Sequence, residues 1–300
     1  MRPELEVEIV SDEEMAIIEA ALAAAAAARP LLSSAAVRGA ATLSCAAFPP
    51  AGDIEDSAPP PRRSLLSRFR ERRALSVTDI TATEWCDKQM EFVLEHGKPE
   101  RTEAMKAGSD RHAQLEQEVI ERVDIAVRSA EESWAVKFMN FIIGSNQLLF
   151  NGMTRELPVI GVVEGSWMVG IIDELRMPMD GISFHPVLVD TKTRFKATIP
   201  SEAQKRNGRL QLMCYKITCH TLSQSQEQLI LRYELQEDHS LLEEYQFSYD
   251  AQWFKDQIQE AFNFWRGARE PKYVTEEEGW KCKFCKFAPS CPKMPSTSRC

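Results

Sequence analysis

Two aspartates and a lysine are the residues of this chain best suited to chemistry. Asp173 stands at the end of the apolar run Val169-Gly170-Ile171-Ile172, and Asp190 follows Val187, Leu188 and Val189. A carboxylate at the edge of a buried strand is costly unless it is paired or holds a cation. Lys192 lies two residues beyond Asp190, so on a strand both side chains leave the same face. Hard carboxylates bind Mg²⁺ or Mn²⁺, which clamps a phosphodiester and lowers the pKa of a bound water. A lysine beside them holds that water or neutralises charge developing on phosphorus. The Thr191 carbonyl can add a ligand. D-x-K by itself also describes an ordinary ion pair at a strand end; the aspartate on a second strand favours the metal reading.

Two further pairs fit the same chemistry. Gly108-x-x-x-His112 offers an imidazole on a helix, available as a ligand or simply solvated. Gln211-x-x-x-Tyr215 puts an amide and a phenol one helical turn apart, suited to holding a nucleic-acid backbone beside the metal, or to plain packing.

A second centre is written in cysteine. Of eight cysteines, three form Cys282-x2-Cys285-x5-Cys291 among lysines and aromatics. Three thiols at this spacing share one metal centre, with Cys86, beside Trp85, as the fourth ligand. Spacing does not separate zinc from an iron–sulfur cluster. Cys214 and Cys219 read as packing residues, and Cys45 and Cys300 carry no assignment. The first fourteen residues hold six acids where a secretory leader would be basic and then apolar, so a reducing compartment is expected and the thiols read as ligands rather than disulfides.

These residues need elements to position them. A helix holding Trp85 and Cys86 is expected after the cap at Asp79, a second from about Thr102 to Glu121, and a third over 130–143. Residues 154–165 and 166–177 read as a hairpin and 185–193 as a third strand after the Asp180-Gly181 turn. Residues 201–220 follow as a helix capped by Ser201, QLILRYEL (228–235) as a fourth strand, and 250–266 as an aromatic-rich helix. This order predicts an α/β domain with a mixed sheet over residues 75–300. Residues 1–74, with an alanine run, prolines and six arginines between 62 and 73, predict a disordered tail.

The chain has 300 residues, 44% of them hydrophobic, and a formal net charge of −9. That balance excludes a general nucleic-acid coat, and the lack of a long apolar run excludes a membrane span. Charge is nevertheless local: residues 189–216 hold seven Lys/Arg against two acids, and 281–299 hold five against none, which suits a phosphate polymer. Residues 227–260, with nine acids against two bases, form a face that should not track DNA.

Gly108-x-x-x-His112, Ile172-Asp173-Glu174, Asp190-Thr191-Lys192 and Gln211-x-x-x-Tyr215 together resemble the RecB-type branch of the PD-(D/E)XK nucleases. With TATEWC (81–86) and WKCKFC…C (280–291), the chain resembles eukaryotic exonuclease V over about residues 75–295. The resemblance implies a restriction-endonuclease-like core, a mixed sheet flanked by helices, closed by the C-terminal cysteines. It implies a metal-dependent single-strand DNA exonuclease of genome maintenance. Asp173, Asp190 and His112 would bind metal, Lys192 would be the catalytic lysine, and Gln211 and Tyr215 would support the site. Cys86, Cys282, Cys285 and Cys291 would hold a [4Fe–4S] cluster. The implied partners are single-stranded DNA and a single-strand-binding protein, for a monomer placed in the nucleus, with mitochondrion or plastid as the alternative from the N-terminal segment. One departure is a short connection: only about a dozen residues separate Tyr215 from QLILRYEL, where the family carries a longer helical segment. The rival readings are a zinc-stabilised endonuclease and a catalytically impaired DNA-binding paralogue or shortened isoform.

Overall fold

The structure, a computed structural model, describes residues 64–293 apart from 72, 73, 122, 124, 179–184 and 220–227. The Asp180-Gly181 turn, the short connection after Cys219, Cys45, Cys300 and nearly all of the predicted tail lie outside the described residues.

A short helix, α1 (Leu65–Phe69), precedes Leu75, where the sequence places the start of the folded part. Ser64 caps it, accepting from the Ser67 amide at 3.1 Å. Strand β1 (Leu75–Ser76) leads into α2 (Val77–Trp85), and α3 (Asp87–His96) follows after Cys86. The N-cap of α2 is Ser76, not Asp79 as the sequence predicts. Asp79 instead closes a capping box by accepting from the Ser76 amide at 2.9 Å. Cys86 is the extended residue between the two helices rather than a helical one.

Next come α4 (Glu103–Gln117), capped by Thr102, and α5 (Ala130–Asn151), which runs eight residues beyond the predicted end. The hairpin is β2 (Met153–Val163) and β3 (Ser166–Arg176), turning at Glu164-Gly165. Strand β4 (Val187–Arg194) crosses through α6 (Glu202–Thr218) to β5 (Gln228–Leu235), and α7 (Ala251–Trp265) closes the domain. The sequence misses β6 (Leu241–Ser248), an edge strand in which half-buried Tyr245 and Phe247 alternate with exposed Glu244, Gln246 and Ser248.

The sheet is mixed, in the order β1-β3-β4-β5-β6 with β2 also paired to β3. β4 and β5 are parallel, and β2–β3, β3–β4 and β5–β6 are antiparallel. This is the predicted mixed α/β layout with helices on the sheet. Leu157, Met168, Ile172, Leu188, Leu210, Leu212, Leu229, Leu231, Phe262 and Trp265 form its core. Helix α6 comes so close to β2 that a Cβ on Gly161 would stand 2.2 Å from the Thr218 carbonyl oxygen, so only glycine fits there. No helix among the described residues is long and apolar enough to cross a membrane.

The N-terminal segment is pinned by one buried pair. Arg70 donates to both carboxylate oxygens of Asp79, at 2.9 and 2.6 Å, and its guanidinium lies 5.3 Å from the Trp265 ring centre. Burial alone would raise the Asp79 pKa; Arg70 and the Ser76 amide outweigh it and hold the carboxyl below its ordinary value of 3.8. Arg70→Ala is therefore expected to cost about 2 kcal/mol at neutral pH. The folded-state pKa is depressed, so this contribution is present above the ordinary value and lost as pH falls through the folded one. Urea unfolding of both proteins should show their difference shrinking below pH ~4.

Candidate active site

The hairpin register builds the site. Arg155 pairs with Glu174 and Leu157 with Ile172, which sets Glu156 across from Asp173. Glu174 pairs with Val189, and the next step of that register sets Asp173 across from Asp190. Helix α4 lays His112 over them: its Nδ1 lies 3.5 Å from Glu156 Oε1 and 3.6 Å from Asp173 Oδ2. Among the described residues, His112, Glu156 and Asp173 form the group of three whose ligand atoms lie within 4.8 Å of one another.

Glu156 is the residue that sequence reading missed. It sits in a β-rich run with no motif around it, and only cross-strand register reveals it. Its φ of +51° is in the left-handed region, which costs a non-glycine residue about 1 kcal/mol or more. Strain of this kind is kept where surrounding structure enforces it. Here Arg155 on one side bonds Glu174 at 2.8 Å and the Leu115 carbonyl at 2.5 Å, tying β2 to the end of α4.

Glu174, part of the sequence motif, is not at the metal site. It is buried between Arg155 and Arg176, which donates at 2.6 Å. Arg111, next to His112, reaches across to the buried Glu234 at 2.8 Å. These pairs fix the helix that carries the imidazole.

Burial and the facing Asp190 push the Asp173 carboxyl up to about 8, against the pull of Lys192 and His112. The Glu156 hydrogen bond, then Asp173 and Asp190, raise His112 to about 9 despite its burial. Asp190 is fully buried. Lys192 Nζ lies 2.9 Å from both its oxygens, hydrogen-bonding Oδ1 and ion-pairing with Oδ2. Crowded carboxylates facing an imidazole fit a divalent cation, which relieves their repulsion. The other lysine contact is Gln211 Oε1 at 2.9 Å, and Gln211 Nε2 in turn donates to Tyr215 Oη at 3.0 Å. Burial, with Asp173 and Asp190, holds the Tyr215 hydroxyl protonated. Thr191 meets the site through its amide, which donates to Asp173 Oδ2 at 3.2 Å. The predicted set thus converges, with Asp190 turned toward Lys192 rather than into the His112 group.

The basic stretch 189–216 is less free than its composition suggests. Lys205 pairs with Glu243 at 2.5 Å, Arg206 with Glu84 and Glu278, and Arg209 with Glu202.

The four thiols also meet. Cys86, Cys282, Cys285 and Cys291 line one apolar cavity between the α2–α3 junction and the C-terminal 3₁₀ turns Gly279–Phe284 and Ala288–Ser290. Burial pushes the Cys86 and Cys285 thiols up, while the amides of Gln89, Val274 and Lys88 on Cys86, and of Phe287 and Ala288 on Cys285, favour thiolate. Cys214 is buried in the core, as expected of a packing residue.

The family profile described as "Exonuclease V - a 5' deoxyribonuclease" matches residues 64–185 and 216–292. The chain belongs to the exonuclease V family. Exonuclease V of Danio rerio is 27% identical over 289 residues, covering 76% of this chain and 72% of that protein. Two crystal structures overlap in part. SSO0001 has a TM-score of 0.40 at 16% identity, covering 77% of this chain and 91% of its own. A candidate exonuclease from Eubacterium rectale has a TM-score of 0.42 at 11% identity, covering 74% and 90%. His112, Glu156, Asp173 and the four thiols fall within the exonuclease V match. Asp190, Lys192, Gln211 and Tyr215 fall in its gap or at the edge of it, so their place in the site rests on geometry. Nuclease activity follows from the family.

Glu156→Gln is expected to lower DNA hydrolysis on the order of 10²-fold and to weaken Mn²⁺ binding measured by calorimetry. Its melting temperature should change little, because the repulsion on Asp173 that is lost is offset by the lost attraction to His112. Full activity in the variant would remove Glu156 from the ligand set.

Proposed function

We propose that this chain is a Mg²⁺-dependent exonuclease of single-stranded DNA that carries a [4Fe–4S] cluster and works in DNA repair. The observation that carries the reading is the convergence of Glu156, Asp173 and His112, with Asp190 beside them against an anchored lysine. His112, Glu156, Asp173 and Asp190 would hold the cation, which supplies Lewis acidity at the scissile phosphate and acidifies the attacking water.

The chain's own residues do the rest. Lys192 has three donors, and Asp190 and Gln211 take two of them. Asp190 and Asp173 outweigh burial and raise its pKa, so the ammonium keeps its charge and offers a third N–H to the phosphate as negative charge develops there. Gln211 and Tyr215 fix the lysine's direction. The family's description as a 5′ deoxyribonuclease supports attack from the 5′ end.

For the thiols, the cluster reading is favoured by spacing. Four sulfurs on one zinc at ~2.3 Å would sit about 3.8 Å apart. Among the described residues, no three of these sulfurs lie within 4.8 Å of one another, while all four face one cavity. Cys86, Cys282, Cys285 and Cys291 would hold the cluster, whose contribution is to tie α2 and α3 to the C-terminus.

The test is a nuclease assay on anaerobically purified protein, beside its absorbance spectrum and iron content. End-labelled single strands with a free or blocked 5′ end should be degraded with Mg²⁺, not with EDTA, and only from the free end. Asp173→Ala should bind the strand and leave it intact; retained cleavage would sink the assignment. Cys285→Ala should lose the brown colour and melt lower. Colourless, active wild-type protein containing zinc would replace the cluster with zinc, and cutting of circular strands would mean an endonuclease.

A further inference from the structure

Beside the metal site lies an apolar track that the catalytic groups do not use. On β3, Trp167, Val169, Ile171 and Asp173 recur every second residue and share one face of the hairpin. Their partners on β2 are Val162, Ile160 and Pro158, with Glu156 opposite Asp173. The first three pairs are apolar and the fourth is the carboxylate pair, with steps of roughly 7 Å. Side chains of this ribbon are open to solvent: Trp167 is 60% exposed, Val162 54% and Ile171 50%. An exposed stripe of this size on a folded surface calls for a ligand.

Helix α5 supplies a facing wall. Trp134 and Phe138, ring centres 6.0 Å apart, line a cavity of about 320 Å³ with Pro158, Ile160, Val169 and Ile171. Lys137 lines it too, with Nζ 4.5 Å from the Trp134 ring centre. Tyr215 lines the cavity as well. Its ring is visible because Gly170 has no side chain; a Cβ there would lie 2.6 Å from Tyr215 Cε1. Tyr215 in turn joins Gln211 and Lys192. The Tyr215 side chain thus links the wall of this cavity to Gln211 and Lys192, and the cavity offers aromatic faces and one cation.

Unpaired nucleobases are the ligand that matches this lining, since they stack on aromatic faces whatever their identity while a lysine meets the phosphate. We propose that this cavity is a base-stacking subsite of the single strand: Trp134 and Phe138 hold a base next to the nucleotide at Asp173, and Lys137 meets its phosphate. The inference rests on the single-strand reading above and adds where the strand lies. It also accounts for single-strand preference, because a paired base has no free face to place between α5 and the hairpin.

The test uses full-length Asp173→Ala protein, which should hold a strand without cutting it, and single strands carrying 2-aminopurine at successive positions from the end. Quenching is expected at one or two positions near the metal-proximal nucleotide. Adding Trp134→Ala and Phe138→Ala should abolish that quenching and weaken binding by about tenfold or more, while Trp134→Phe should keep both. Lys137→Gln should reduce the slope of log K against log salt by about one. Tight binding with unchanged quenching and affinity in the Trp134 and Phe138 variants overturns the subsite and leaves the nuclease reading standing. Absence of any single-strand binding by the Asp173→Ala protein overturns both. Loss of a dimer in the Trp134 and Phe138 variants, with DNA binding intact, would assign the face to a second copy of the chain instead.

Discussion

Three carboxylates, Glu156, Asp173 and Asp190, are held at neighbouring positions of adjacent strands, and their repulsion is the constraint that the surrounding structure answers. Two unit charges 4 Å apart at an effective dielectric of ~20 repel by about 4 kcal/mol, comparable to much of a domain's net stability. The response is visible in the raised Asp173 and His112 pKa values and in the lysine against Asp190. On the proposed reading, a site built this way would have its ligands in place before a cation arrives, and the repulsion would favour its binding.

Holding such a group together requires rigid supports that do not share its protons. Glu174 and Glu234 are buried acids with their own arginines, and these pairs brace β2 and α4 just outside the ligand group. Glu174 adjoins Asp173 in sequence, yet both its oxygens are taken by Arg155 and Arg176 and it works as an anchor. Charge type alone does not separate these two roles; the partners each carboxylate meets do.

Helix α6 couples the two centres of the molecule. At one end Arg206 bridges Glu84 and Glu278, and Asn207 bonds the Thr81 carbonyl, joining α2 to the C-terminal segment. Trp85 meets Trp280 edge-on at 5.7 Å, and the buried Lys281 sits over the Trp85 ring. Further along the same helix, Gln211 holds Lys192 and is itself held by Tyr215. Closing the cysteine cavity and aiming Lys192 are thus achieved by one rigid element.

Much of this architecture was legible in sequence, because it is encoded over short distances. Ser201 as a cap, the Glu164-Gly165 turn, and the alternation that puts Asp190 and Lys192 on one face are properties of a few consecutive residues. So are the C-terminal thiol spacing and the one-turn offset of Gln211 and Tyr215. The break at Cys86, the true length of α5 and the edge strand β6 were not, since local pattern there was outweighed by packing against distant chain. Tertiary structure alone decided that Glu156 belongs with His112 and Asp173, that Glu174 does not, and that the basic residues of α6 are engaged in internal pairs. The reason is that alternation along one strand tells which residues share a face, whereas only pairing between strands and the helices laid across them tells which residues meet.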